Sequence, residues 1–141
     1  MPGYDRSAYV VYLSRVPMFS RCSESQLDRI ASETEERSAV AGDAVVREGE
    51  QGDEFFVIAD GAAEVTRGGS TLAKLGPGDY FGELALLDPA PRGATVSASA
   101  PSNLLVLSRE SFTKALDDIP ALRDAVLHGM ARRIHELDAR F

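Results

Sequence analysis

The spacing of apolar residues along the chain changes twice, from helical to alternating and back. From Tyr4 to Val16, the residues Tyr9, Val10, Leu13 and Val16 recur near helical spacing, which predicts a short helix that Pro17 ends or bends. Ser23-Glu24-Ser25-Gln26 reads as a capping box, with Ser23 as the cap and Gln26 reaching back to its amide. Leu27, Ile30 and Ala31 supply the stripe of a helix over 23–32. After Glu36, short apolar pieces alternate with turn signals: Ala41-Gly42-Asp43, Gly49-Glu50-Gln51-Gly52-Asp53, Asp60-Gly61, Gly68-Gly69-Ser70 and Gly76-Pro77-Gly78-Asp79. Strands are predicted between them over 44–47, 54–59, 62–67, 71–75, 94–98 and 103–108. Asp60-Gly61 and Gly68-Gly69 suit tight hairpins, because glycine accepts positive φ. Phe55, Val57 and Ala59 share one strand face and Phe56 and Ile58 the other, so that strand is buried on both sides or faces a ligand.

Helical spacing returns at Ser108, an N-cap for a helix over 109–116 that packs Phe112, Ala115 and Leu116 inward. A final helix, at about 119–139 with Pro120 in its first turn, carries Ile119, Leu122, Val126, Met130, Ile134 and Leu137. Arg132 and Arg133 lie towards its C-terminal half, which suits the helix dipole. Leu127 and Ala131 widen its apolar surface. The helix either packs wholly on the β-structure or uses this second edge to cap a ligand or meet another chain. The pattern as a whole predicts a mostly β domain with flanking helices, an α+β sandwich or barrel.

Composition narrows the class. A chain of 141 residues with 44% hydrophobic and 26% charged residues is long enough for one domain with a substantial core. Its net charge of −7 argues against nucleic-acid binding, though not against a local site for one small anion. The single cysteine, Cys22, rules out an intramolecular disulfide and reads as a structural thiol. The longest early apolar run, 8–13, is too short to span a membrane, so the cytoplasm is the expected location.

The candidate chemistry lies in Phe81-Gly82-Glu83-Leu84-Ala85-Leu86-Leu87-Asp88-Pro89-Ala90-Pro91-Arg92-Gly93-Ala94-Thr95-Val96. Gly82 followed by helix formers predicts a short helix whose first amides can meet an anion. Arg92 offers a planar charged fork that matches a phosphate, and Gly93 and Ala94 let the backbone approach. Glu83 is a pure acceptor suited to a sugar hydroxyl. This describes a one-phosphate site with a hydroxyl sensor. No G-x-x-x-x-G-K-[ST] or G-x-G-x-x-G occurs. On these two residues alone, an ion pair between Glu83 and Arg92 that braces a loop explains the spacing equally well.

These residues resemble a known cassette. Residues 81–87, followed by Pro91-Arg92-Gly93-Ala94-Thr95-Val96, are similar to the phosphate-binding cassette of cyclic nucleotide-binding domains, with the family's spacing from glutamate to arginine. Such domains occur in protein kinase A regulatory subunits, in the bacterial catabolite activator and in cyclic-nucleotide-gated channels. The upstream run from Arg47 to Gly61 and Gly78-Asp79-Tyr80 extend the likeness, which covers roughly residues 19–137.

The resemblance implies a jelly-roll barrel (a double-stranded β-helix) over 19–141, with residues 1–18 as an N-terminal helical segment and the final helix as a lid. It implies that Arg92, Gly93, Ala94, Ala85 and Leu84 hold the cyclic phosphate and that Glu83 and Gly82 serve the ribose. Leu127, Met130, Ala131 and Ile134 would cover the base. Family members that prefer cGMP often carry threonine or serine after the arginine, where the hydroxyl reaches the guanine amino group. Here that residue is Gly93, so the implied ligand is cAMP, with cGMP second and no cofactor or metal. The implied function is a non-catalytic sensor that signals by lid movement to an effector protein or domain.

Two rivals come from other classes. A cupin-like metalloenzyme needs histidines on strands, whereas His128 and His135 fall seven apart on the final helix. A ligand-free interaction module would dimerise through that helix, whose stripe is about two and a half heptads long.

Overall fold

The computed structural model describes residues 5–138, and they fall into two compact units, one helical and one built of strands. Tyr4 lies outside the described residues, as do the side chains of Arg133 and Leu137.

The helical unit takes the chain up to Thr34 and from Glu110 onward. Helix α1 (Arg6–Ser14) is capped by Asp5, whose side chain accepts from the Ala8 amide. Pro17 starts a 3-10 turn, Pro17–Phe19, which buries Met18 and Phe19. Helix α2 (Glu24–Ala31) carries the predicted capping box in both directions: Ser23 accepts from the Gln26 amide, and Gln26 accepts from the Ser23 amide at 2.8 Å. Helix α3 (Arg109–Asp118) buries Phe112 and Ala115, with Leu116 half-buried. The rings of Phe112 and Phe19 pack at 6.0 Å.

Helix α4 (Pro120–Asp138) buries Leu122, Ala125 and Val126. It passes so close to the 3-10 turn that a Cβ on Gly129 would lie 2.6 Å from the carbonyl oxygens of Pro17 and Met18. The predicted inward stripe stops part-way. Met130 is half-buried, and Ile134 is 54% exposed.

The β unit, Glu35–Arg109, is a sandwich of two antiparallel four-stranded sheets. One sheet contains β1 (Glu35–Ala39), β4 (Glu54–Asp60), β7 (Tyr80–Phe81) and β10 (Ser102–Ser108) in the order β1-β10-β4-β7. The other contains β2 (Ala44–Val46), β5 (Ala63–Arg67), β6 (Ser70–Leu75) and β9 (Thr95–Ala98) in the order β2-β9-β5-β6. Phe56, Ile58, Leu104 and Val106 from the first sheet meet Ala63, Val96 and Ala98 from the second, and Phe81 stacks on Phe56 at 4.9 Å. Residues 55–59 are buried throughout, so both faces of β4 are covered. A two-stranded ribbon of β3 (Gln51–Gly52) and β8 (Ala90–Pro91) completes the unit.

Two sequence expectations need adjustment. Gly68-Gly69 forms the predicted hairpin, at φ of 56° and 84°, between the facing residues Arg67 and Ser70. Asp60-Gly61 does not. Strands β4 and β5 belong to different sheets, so this turn is a corner from one sheet to the other. Gly61 sits at φ 103°, where a Cβ would meet Ser102 Oγ and the Pro101 carbonyl at 2.2 and 2.6 Å. The glycine is needed for close approach as well as for its φ. Strand β1 has no apolar alternation, because only Ala39 of its residues is buried. As an edge strand it is held by pairing with β10.

Candidate functional site

The cassette folds around Arg92. The ribbon of β3 and β8 brings Gly52 opposite Ala90 and Gln51 opposite Pro91. Beyond it, Arg92 donates its amide to Glu50 O and accepts from the Gly49 amide, both at 2.8 Å. The main chain of Arg92 is therefore fixed by the 49–52 segment, and its side chain turns back beneath it. One terminal nitrogen donates to the Glu54 carbonyl at 2.8 Å.

Two glycines make room for that guanidinium. A Cβ on Gly52 would lie 2.0 Å from Arg92 Nε, and a Cβ on Gly82 would lie 2.7 Å from its other terminal nitrogen. Phe56 forms a further wall, with the guanidinium carbon 6.0 Å from its ring centre.

The charges around Arg92 are mixed. Glu54 directs its carboxylate to Arg37, at 3.2 and 2.9 Å, while its carbonyl serves Arg92. Burial lowers the Arg92 pKa from the usual arginine value, and the charges of Glu54 and Asp53 only oppose that effect. The group stays cationic at neutral pH, as arginine does. The hydrogen bond from Arg92 to the Glu54 carbonyl braces the 49–54 segment. A half-buried cation with one neutral acceptor at its tip can still donate to a phosphate. A cleft of about 150 Å³ opens beside it, lined by Val45, Val46, Arg47, Glu50, Gln51, Gly52, Asp53, Glu54 and Arg92. That is below the roughly 300–1,000 Å³ of ordinary ligand pockets. Of the predicted site residues the cleft takes in Arg92 alone, and the acidic Glu50, Asp53 and Glu54 share its wall with Arg47.

Gly82 adopts φ 83° and starts a four-residue 3-10 helix, Glu83–Leu86. The Ala85 amide donates to the Gly82 carbonyl at 3.1 Å, so a phosphate oxygen would have to share that donor. Glu83 is half-buried, Leu84 is 60% exposed, and Ala85 is buried. Gly93 is exposed and Ala94 half-buried on the chain leading to β9. The structure thus gathers Arg92 with Gly82, and Gly93 and Ala94 follow directly in the chain. Of the four residues expected to cover a base, Leu127, Ala131 and Ile134 are exposed on α4 and Met130 is half-buried. His128 and His135 are exposed on the same helix. Sequence reasoning missed Gly52 and the Glu54 carbonyl. The available signal is the glycine pair at 49 and 52, which reads as a turn and as part of the family likeness but assigns Gly52 no role at Arg92.

A larger open groove of about 830 Å³, lined by Ser7, Val10, Val11, Ser14, Glu24, Ser25, Leu27 and Asp28, contains none of the predicted site residues. Among the described residues, no helix is long and apolar enough to cross a membrane.

Known proteins share this sequence and fold. Residues 36–118 match the family described as cyclic nucleotide-binding domain, and the chain belongs to that family. It is 39% identical over 126 residues to a cAMP-dependent protein kinase regulatory subunit of Mycosarcoma maydis, a match covering 83% of this chain and 24% of that protein. It is 38% identical over 129 residues to the cGMP-dependent protein kinase egl-4 of Caenorhabditis briggsae, covering 86% of this chain and 17% of that one. The chain thus spans a quarter or less of these two relatives. Among solved structures, it is similar to the N-terminal domain of a transcriptional regulator from Streptomyces coelicolor A3(2), with TM-score 0.84 and 31% identity. That match covers 92% of this chain and 95% of the other.

Proposed function

We propose that the protein is a cyclic-nucleotide sensor that prefers cAMP. The observation that carries this reading is the half-buried Arg92 guanidinium, seated against two glycines and bonded to one carbonyl. In this reading Arg92 binds the exocyclic oxygens of a 3′,5′-cyclic phosphate, and amides of Leu84, Ala85, Gly93 and Ala94 complete the cradle. Glu83, beside Gly82, accepts from the ribose 2′-hydroxyl. The base lies under a lid that draws on Leu127, Met130, Ala131 and Ile134, three of which are exposed apolar positions on α4. Release of the Ala85 amide from Gly82 would link phosphate binding to movement of the short helix. The output is a population shift between lid states, read by an effector protein or domain.

The preference for cAMP rests on Gly93, which has no side-chain hydroxyl for the guanine amino group. The likeness to the cAMP-dependent kinase subunit is compatible with it, and the likeness to the cGMP-dependent kinase keeps cGMP as the second ligand. The test is equilibrium dialysis against labelled cAMP, with unlabelled cAMP, cGMP and 5′-AMP as competitors. Displacement by cAMP at lower concentration than cGMP, and none by 5′-AMP, is expected. Equal displacement by cAMP and 5′-AMP would remove the cyclic-phosphate assignment.

A further inference from the structure

Hydrogen bonds close a ring around the outer side of the Arg92 segment, through three pieces of chain far apart in sequence. Glu48 donates its amide to Thr95 Oγ1 at 2.9 Å. The Glu48 carboxylate accepts the amide of Gly68, at the tip of the β5–β6 hairpin, at 3.1 Å. One residue earlier, Arg67 donates from Nε to the Gly93 carbonyl at 2.8 Å. Gly93 and Thr95 flank Ala94, so the circuit runs Glu48, Gly68, Arg67, Gly93, Thr95 and back to Glu48. Residues 92–95 are therefore held from both edges, by the 49–54 segment on one and by the hairpin tip on the other.

The bond to the Gly93 carbonyl sets the direction of a neighbouring donor. The carbonyl of Gly93 and the N–H of Ala94 belong to one planar trans peptide unit, so they point in opposite directions. Holding the carbonyl outward on Arg67 aims the Ala94 N–H the other way. Glycine at 93 leaves this peptide plane freer to rotate than a side-chain-bearing residue would. The two-residue Gly68-Gly69 turn fixes Arg67 opposite Ser70, so the clamping side chain is placed by the sheet itself.

We propose that Arg67 and Glu48 are positioning residues of the nucleotide site, which hold the Gly93–Ala94 peptide in the orientation that presents its N–H to the cyclic phosphate. The proposal rests on the cyclic-nucleotide reading above.

The experiment measures cAMP affinity, dissociation rate and thermal midpoint for wild type, Arg67→Ala, Glu48→Ala and Glu48→Gln. Loss of one such bond predicts about fivefold weaker cAMP binding in Arg67→Ala and in Glu48→Ala, chiefly through faster dissociation. Glu48→Gln keeps an oxygen acceptor for Gly68 and restores wild-type affinity. The double variant Arg67→Ala/Glu48→Ala loses less than the product of the single losses, because both act through one ring. The thermal midpoints stay within about 2 °C of wild type, since all these bonds are at the surface. Wild-type affinity in Arg67→Ala, or equal losses in Glu48→Ala and Glu48→Gln, would overturn the positioning role and leave the site reading intact. Wild-type protein that binds no cAMP would remove both.

Discussion

A Cβ placed on Gly52 would lie 2.0 Å from Nε of Arg92, so the backbone of one strand of the ribbon and the guanidinium of the cassette occupy adjoining space with no room for a methyl group. The relationship separates two kinds of glycine in the site. Gly52 and Gly82 are fixed by what lies against them. A Cβ on Gly93 would meet only an Arg67 nitrogen, at 3.8 Å, and its φ is not in the left-handed region.

Gly52→Ala and Gly82→Ala should each displace Arg92 and weaken cAMP binding by at least about tenfold, as expected when a well-packed site is overfilled at a cost of about 1–3 kcal/mol. Gly93→Ala should leave affinity within about threefold of wild type, being an ordinary van der Waals contact that also stiffens the loop. Titration of the three variants side by side checks this. Equal losses at all three would show that the space around Arg92 is not what matters.

Glu83 should be read out by the ligand as well as by mutation. If it accepts from the ribose hydroxyl, 2′-deoxy-cAMP should bind wild type more weakly than cAMP by about 1.5–3 kcal/mol, the range for a hydrogen bond to a charged group. In Glu83→Ala the two ligands should bind alike. Competition assays on both proteins measure this, and a persistent preference for cAMP in the variant would place the hydroxyl elsewhere.

Burial pushes the Cys22 thiol up from 9.0 to about 11. A raised folded-state pKa means that the neutral thiol is favoured in the fold. Its contribution to stability is therefore full below about pH 9 and is lost as the pH rises towards 11. Alkylation by iodoacetamide at pH 8 should be slow in native protein and fast after denaturation. In Cys22→Ala the fall in thermal midpoint between pH 9 and 11 should be shallower than in wild type.

Gly129→Ala should destabilise the helical unit although alanine is the better helix former. The propensity gain is about 1 kcal/mol. Against it stands a methyl group 2.6 Å from two backbone carbonyl oxygens, which cannot move like a flexible side-chain end. With an overpacking cost of about 2–3 kcal/mol, the upper part of the usual range for a contact this close, the net loss should be about 1–2 kcal/mol, seen as a lower thermal midpoint.

Local features were legible in the sequence and non-local ones were not. The capping box at Ser23 and the Gly68-Gly69 hairpin could be read because each depends on two to four consecutive residues. Strand β1 was hidden, since an edge strand with one buried residue carries no apolar alternation. Asp60-Gly61 misled because a glycine turn between apolar runs looks the same whether the chain folds back or crosses to the other sheet. At the site, Arg92 and Glu83 stood out by residue type and spacing. Gly52, the Glu54 carbonyl and the Arg67 clamp did not. They act through non-local proximity and backbone atoms, which residue identity does not encode.

Calorimetric titration of wild type and Arg92→Ala with cAMP and cGMP tests most directly whether Arg92 binds a cyclic phosphate. Micromolar or tighter binding of cAMP, weaker binding of cGMP and a loss of roughly 2–4 kcal/mol in Arg92→Ala are predicted for a desolvated charge-assisted contact. No heat with either nucleotide, or unchanged affinity in Arg92→Ala, would contradict it.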